Sequence, residues 1–231
     1  ITAIAIGYEQ FEQLLKGAQV MDQHVQEADF AENIPVLLAL LGIWNNNFLN
    51  IHTLLVLAYS KRLEYFIPYL QQLDMESNGK SLDRQGKAVN FATGPIVWGG
   101  LGNQAQHSYL QLLAQGTHRC AGEFISLNTN HEEMINLICE DKLRVLSEGV
   151  ESMNNPNGYI PGKMPINHLI LSECTPYSLG SLVALYEHKI FIQSVIWNIN
   201  PFDQPGVESA KRRSSVLAQA SQFALDKMSI A

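Results

Sequence analysis

Four short apolar runs, each about as long as a β-strand, alternate along this chain with longer segments whose apolar residues recur at helical spacing. The runs are residues 53–58, 95–98, 123–127 and 167–174, with a weaker candidate at residues 81–89. The helical patterns cover residues 9–26, 36–48, 61–72, 104–115, 132–148, 177–197 and 204–227. This alternation predicts an α/β fold, a three-layer α-β-α sandwich with a mostly parallel sheet and long C-terminal helices. Ligands of such sheets bind at the carboxyl ends of the strands.

The length and the net charge of the chain exclude several classes of protein. The chain of 231 residues is long enough to bury a substantial core, and no repeat or charge block divides it, so we predict one domain over residues 1–231. The net charge of −7 leaves no basic surplus to neutralise phosphates, which argues against a nucleic-acid partner. No run approaches the roughly 18 to 20 apolar residues that span a bilayer, so we expect no membrane association.

The cysteines and the first residues of the chain indicate in which cellular compartment we expect the protein. Cys120, Cys139 and Cys174 are widely spaced and form no C-x-x-C, a pattern typical of a reducing compartment and not of a metal site. The start of the chain has no signal-peptide pattern, so we expect a cytoplasmic protein. The chain begins at Ile1, without Met and within an apolar run, which suggests a fragment of a longer chain.

A carboxylate stands out in residues 71–80. An amphipathic run ends there in Asp, Ser, Asn and Gly, residues that favour turns, so we place Glu76 just past a helix end, on a loop. A loop carboxylate among amides and hydroxyls is suited to general-base catalysis. The same placement also fits a solvated residue with no role.

Residues 100–105 have the form G-x-G-x-x-A, after a strand and before a helix, as in a dinucleotide-binding turn. The acid that should end the second strand is missing, because Glu123 stands at the start of its strand-like run, before residues 124–127, so these glycines are better explained by close approach of the backbone to a ligand. His107 follows in the first turns of the next helix. It is either a hydrogen-bonded structural residue or a proton shuttle, since imidazole exchanges protons near neutral pH.

Two further groups carry charge. His131-Glu132-Glu133 resembles the start of a zinc-protease motif, but position 135 is Ile where a second histidine is needed, so we expect no metal site. Glu187-His188-Lys189, on a long helix, has the pattern of a solvated charge cluster.

The last candidate segment begins a helix. Asp203 and Pro205-Gly206 are typical of a helix start, and Lys211 lies seven residues beyond Gln204, two turns along the same face. An isolated lysine on a helix normally faces solvent, so the spacing alone assigns it no role.

Four motifs taken together resemble the phosphoglucose isomerase family. They lie in order along the chain at residues 74–80, 93–107, 175–191 and 198–211. The sequence departs from the family pattern at Gly100-Leu101 and at Pro205. The resemblance covers the whole chain but only the C-terminal half of the family's protein. It implies the sugar-isomerase, flavodoxin-like form of the sandwich, and for residues 187–189 a role in packing and at a dimer surface.

The resemblance also implies a role for each site residue. Glu76 is expected to be the base that forms the enediol, and His107 helps open the sugar ring, supplied to the site by the neighbouring subunit. Lys211 acts near the ring oxygen. Gln72 and Gln204 position the substrate. The family's chemistry needs no cofactor.

The implied activity is reversible isomerisation of glucose 6-phosphate and fructose 6-phosphate, in glycolysis and gluconeogenesis. The implied partners are the sugar phosphate, a second copy in a homodimer, and the N-terminal half of the same chain. That half should carry an arginine and the phosphate-binding loops, so these residues alone are expected to be inactive. The alternative is a non-catalytic sugar-phosphate-binding regulatory domain, which would not need Glu76, His107 and Lys211 together.

Overall fold

The computed structural model describes residues 1–129, 132–152 and 155–214 and divides the chain into two units, Ile1–Pro201 and Phe202–Ala231. The α-helices of the first unit are α1 (Thr2–Ile6), α2 (Tyr8–Glu27), α3 (Ile34–Ile43), α4 (Phe66–Asn78), α5 (Gly102–Ala105), α6 (Leu110–Gln115), α7 (Glu133–Glu148) and α8 (Pro176–Ile196). Its strands are β1 (Thr53–Ala58), β2 (Ile96–Leu101), β3 (Ala121–Leu127) and β4 (Ile166–Leu171). Short helical segments of other types occupy Trp44–Phe48, Lys61–Leu63 and Pro156–Gly158.

The four strands form one parallel sheet in the order β2-β1-β3-β4, which confirms the predicted α/β class. β1 shows how the sheet separates two cores. Leu54, Val56 and Ala58 point to the side of α4 and α8. Leu55 and Leu57 point to the side of α7, as the period of two along a strand requires. Helices therefore cover both faces of the sheet.

β1 matches the predicted run over residues 53–58, whereas β2 extends to Leu101 beyond the predicted end at residue 98. The difference lies at Gly99, which has a φ of +142° and continues the strand beside β1. A Cβ at Gly99 would lie 1.9 Å from the carbonyl oxygen of Val56. Glycine is needed there by the neighbouring strand, so it does not mark a turn.

Two of the predicted helices differ in their bounds from the helices in the structure. The helix predicted over residues 61–72 is a 3₁₀ turn followed by α4, which continues to Asn78. The helix predicted over residues 104–115 is interrupted between α5 and α6. In the interruption His107 and Ser108 donate backbone hydrogen bonds three residues back, to Gln104 and Ala105. The chain is thus wound more tightly than an α-helix there.

α3 begins where the sequence predicts it, because the Asn33 side chain accepts from the Val36 amide and Pro35 takes the first turn. Residues 36–48 are apolar on nearly every side, which predicts a buried helix, and this prediction is wrong. Leu41, Trp44 and Phe48 are 44%, 52% and 67% exposed. One side of α3 packs against α8, and these three side chains remain in contact with solvent.

α2 and α8 approach each other through two glycines. A Cβ at Gly17 would lie 1.8 Å from the Tyr177 carbonyl oxygen, and one at Gly180 would lie 2.0 Å from that of Leu14. Ser181 Oγ also donates to the Gly17 carbonyl at 2.8 Å. The contact is between backbones, which cannot move aside as a flexible side chain can.

Gly180→Ala is therefore expected to lower the free energy of unfolding of the full-length protein by about 3 kcal/mol, the upper end for overpacking a core. Denaturant titration measures it. The matched control is Gly206→Ala, where nothing lies within 4 Å of the added Cβ, so it should change stability little or raise it slightly. Equal stability of the two variants would contradict this close packing.

In the second unit, residues 205–214 are helical, in agreement with the predicted 204–227 helix except at Gln204, which precedes the helix; residues 215–227 lie outside the described residues. The prediction of one domain over residues 1–231 stays a prediction. Among the helices that the structure describes, none is long and apolar enough to cross a membrane.

Candidate active site

α4 presents two faces of different character. Leu70, Asp74 and Asn78, four residues apart, lie on its buried face. Gln72 and Glu76, also four residues apart, are both exposed on the opposite side. The prediction that Glu76 lies on a loop is wrong, because the helix continues two residues past it. Of the polar residues that suggested a turn, Asn78 instead anchors the helix through its side chain.

The end of α4 is held by side chains from α8 and by the segment before β2. Asn78 Nδ2 donates to the Ile190 carbonyl at 3.2 Å and to Gln193 Oε1 at 3.4 Å. The Asn78 carbonyl accepts from the Gly94 amide at 3.0 Å. Lys80 Nζ donates to the backbone carbonyls of Glu76 and Ser77, which closes the last turn. The exposed carboxylate of Glu76 thus stands on a firmly held helix end.

His107 lies beyond the carboxyl end of β2, in the tight turn between α5 and α6. α5 is fixed against the sheet because the ring of Tyr59 occupies the space beside Gly102, where a Cβ would lie 2.4 Å from it. Gly102 is therefore required by a protein neighbour, in contrast to the expected approach to a ligand. The imidazole of His107 is exposed.

Glu76 and His107 lie near opposite ends of β2. α4 runs back along β2, with Gln71 Nε2 donating to the Val97 carbonyl at 3.2 Å, and ends beside Gly94, before the strand begins. His107 follows the end of the same strand. A six-residue strand spans roughly 15 Å or more, so the two residues lie near opposite ends of a stretch of that length.

Gln204 and Lys211 belong to the second unit. The carbonyl of Gln204 accepts from the Glu208 amide at 3.1 Å, so Gln204 immediately precedes the helix, which begins one residue later than predicted. Both side chains are exposed, and their spacing of seven residues puts them on one face of this helix. Their association with Glu76 and His107 stays a prediction.

The cluster Glu187-His188-Lys189 is solvated only in part: Glu187 is exposed, His188 is half-buried and Lys189 is buried. Glu187 accepts from Tyr69 Oη at 3.2 Å, and His188 Nε2 lies 2.7 Å from Asp22 Oδ1 on α2. Lys189 is only 1% exposed and points into the core. The packing role expected from the resemblance agrees with these contacts, and the dimer-surface role stays a prediction.

Lys189 meets Glu123 inside the protein. Lys189 Nζ lies 3.0 Å from Glu123 Oε1, and Tyr186 Oη donates to Glu123 Oε2 at 2.7 Å. Glu123 is the third residue of β3 and not a residue before the strand, as the sequence suggested. With both oxygens engaged, its carboxylate is not free to accept from a ribose.

Asp74 is a polar residue that the sequence analysis missed. It is 2% exposed, and its Oδ1 has no hydrogen-bond partner. Burial raises the pKa of Asp74 to about 6, the charge of Lys189 opposes that rise, and the charge of Glu123 adds to it. The available signal was its position four residues after Leu70, on the apolar stripe of α4.

Within the described residues, no three or more His, Cys, Asp or Glu side chains are placed to hold a metal ion; His131 lies outside those residues. The three cysteines are free thiols. Burial raises the pKa of Cys139 to about 12, so this thiol is unreactive near neutral pH.

Comparison with known proteins identifies the family. The family model of phosphoglucose isomerase matches residues 1–228. Glucose-6-phosphate isomerase of Legionella pneumophila (strain Lens) is 71% identical over 223 residues, which make up 96% of this chain and 45% of that protein. The enzyme of Acinetobacter venetianus is 48% identical over an alignment of 240 positions, which covers 93% of this chain and 43% of that protein. The chain thus spans less than half the length of these relatives.

Solved structures agree. A crystal structure of a glucose-6-phosphate isomerase from Chlamydia trachomatis superimposes with a TM-score of 0.90 at 38% identity, covering 94% of this chain and 44% of that one. A hypothetical protein from Thermus thermophilus shares the fold, with a TM-score of 0.74 at 23% identity, covering 89% and 50%. With a family match over nearly every residue, the chain belongs to the phosphoglucose isomerase family.

Proposed function

We propose that the full-length protein interconverts glucose 6-phosphate and fructose 6-phosphate. The observation that carries the proposal is the family match over residues 1–228, because it includes all five residues assigned a role. The exposed pair Gln72 and Glu76 on one face of a held helix end supports it. No cofactor enters the proposal, and the cytoplasmic location stays a prediction.

In the proposed mechanism the residues act in two stages. His107, with Lys211, opens the ring by delivering a proton to the ring oxygen while the C1 hydroxyl loses one. Glu76 then removes the proton from C2, which gives a cis-enediol, and returns it to C1. Gln72 and Gln204 hold the substrate through hydrogen bonds.

A homodimer is part of the proposal. Glu76 of one chain lies near the amino end of β2 and His107 beyond its carboxyl end, and a strand of this length spans roughly 15 Å or more, which disfavours the use of both groups of one chain on one sugar. The proposed site therefore combines Glu76 of one subunit with His107 of another. This arrangement is isologous, so each dimer would hold two equivalent sites.

The second candidate is a regulatory domain that binds a sugar phosphate without turnover. Binding needs hydrogen-bond donors for the phosphate and hydroxyl groups. It does not need a base and an imidazole that are both exposed, as Glu76 and His107 are. We therefore favour the isomerase.

Turnover by the full-length protein tests the proposal. We expect the full-length protein to isomerise fructose 6-phosphate in an assay coupled to oxidation of glucose 6-phosphate, and residues 1–231 alone to be essentially inactive. The missing part should supply an arginine that stabilises the enediolate, a contribution of roughly 3 kcal/mol, together with the phosphate loops. The assay with added glucose 6-phosphate controls for the coupling enzyme. Binding without turnover by the full-length protein would favour the regulatory domain, and full-rate turnover by the piece would place the phosphate site within it.

A further inference from the structure

Four side chains form a buried polar cluster between α4, β3 and α8. Asp74, Glu123, Lys189 and Tyr186 are each at most 2% exposed. Tyr186 and Lys189 both engage Glu123, whose two oxygens are satisfied. The Asp74 carboxylate has an unpartnered oxygen at Oδ1.

The charges of this cluster do not balance. Two carboxylates share one ammonium group, so ionisation of both leaves a net negative charge in the core. The ionisable groups that face Asp74 are Lys189 and Tyr186 of α8 and Glu123 of β3. β1 and β2, the strands that α4 covers, contribute none, since their sequences are TLLVLA and IVWGGL.

Asp74 lies on the same two turns of α4 as the candidate site residues. Gln72 and Glu76 flank it in sequence and are exposed, whereas Asp74 and Asn78 are buried, and Asn78 donates to Gln193 of α8. A helix turn moves as a rigid unit, so any change in how the inner pair sits on α8 moves the outer pair as well.

We propose that Asp74 is a positioning residue for Glu76: Asn78 ties the last turns of α4 to α8, and the charge on the Asp74 carboxylate, buried on the same face, sets the placement of Glu76. The inference rests on the proposed isomerase function. Asp74 touches no substrate in this scheme and acts only through the helix.

The charge on Asp74 opposes folding. The pKa of Asp74 is about 6 in the folded protein and 3.8 for an ordinary aspartate, so the folded state holds the proton more tightly. The destabilisation is absent below about pH 4, grows through the interval to pH 6 and is fully present above it. An asparagine would remove it. If Asp74 served only stability, a substitution that makes the protein more stable should not lower its activity.

The test is Asp74→Asn in the full-length protein, compared with Asp141→Asn, the same change at an exposed aspartate on α7. For Asp74→Asn we expect kcat about 10- to 100-fold lower at pH 7.5, KM within about threefold of wild type, and an unchanged or higher Tm. The ratio of wild-type to variant kcat should rise from near one below pH 5 to its full value above pH 7. Asp141→Asn should match wild type throughout.

A ratio independent of pH, a parallel loss of Tm and kcat, or equal activity of the two variants would overturn the inference. An inactive wild type would instead overturn the proposed function, so the two failures are distinct.

A second measurement needs no variant. Opening of the last turn of α4 exposes Asp74 to water, so opening should become easier as pH rises through about 6. Amide hydrogen exchange of residues 75–79, corrected for the intrinsic pH dependence, should lose about tenfold or more in protection between pH 5 and 7. The amides of α7 serve as the internal control. Unchanged protection at residues 75–79 would overturn the inference even if Asp74→Asn does not fold.

Discussion

Replacing Glu76 with glutamine in the full-length protein is expected to slow isomerisation by about 10²- to 10⁴-fold, the usual effect of removing a general base. Glutamine keeps the size and the hydrogen-bonding capacity of the side chain but cannot accept the C2 proton. Glu76 is exposed and bears no part of the buried anchor of α4, so the fold should be unaffected. Binding of sugar phosphate and ring opening should survive, because other residues are assigned to them.

The decisive measurement is exchange of the C2 hydrogen with deuterated solvent, followed by NMR together with the rate of anomer interconversion. We expect exchange to collapse while anomer interconversion continues. Glu64→Gln, a glutamate beside the start of α4 that pairs with Lys61 near the surface, is the matched control and should behave as wild type. Exchange near the wild-type rate in Glu76→Gln would mean that the base lies elsewhere.

The sequence predicted the sheet well because its signal is local. Continuous apolar runs such as residues 53–58 are typical of strands buried on both faces, and β1 has those bounds. The ends of other elements depend on contacts far along the chain. Gly99 continues β2 only because β1 lies beside it, and α4 continues to Asn78 because α8 supplies partners for the side chain of Asn78. No local pattern contains that information.

The same limit applies to the site. The exposed residues Gln72, Glu76 and His107 were found through family motifs, which resemblance can carry over position by position. The buried polar residues were missed or misread. Lys189 lies within a charged triplet that suggests a solvated surface, yet its partner Glu123 is 66 residues away. The separation of Glu76 from His107 along β2 also follows from tertiary structure, because it depends on α4 running antiparallel to that strand.

That separation leads to a prediction about two inactive proteins. Full-length Glu76→Gln and full-length His107→Ala should each be nearly inactive, because every site of either homodimer lacks one of the two groups. In a hybrid dimer one site combines both changes and the other combines an intact Glu76 with an intact His107. Random exchange of equal amounts makes half of the dimers hybrid, so mixing should restore about one quarter of the wild-type activity.

The control for this recovery is a mixture of Glu76→Gln with the double variant Glu76→Gln/His107→Ala, in which no pairing of subunits produces an intact site. Activity should rise in the first mixture and not in the second, with subunit exchange followed by mass spectrometry of differently labelled chains. The rise should follow the fraction of hybrid dimers and reach its plateau with it. No recovery after complete exchange would contradict a site shared between subunits, and one chain would then have to bring His107 to Glu76 by a rearrangement across the length of β2.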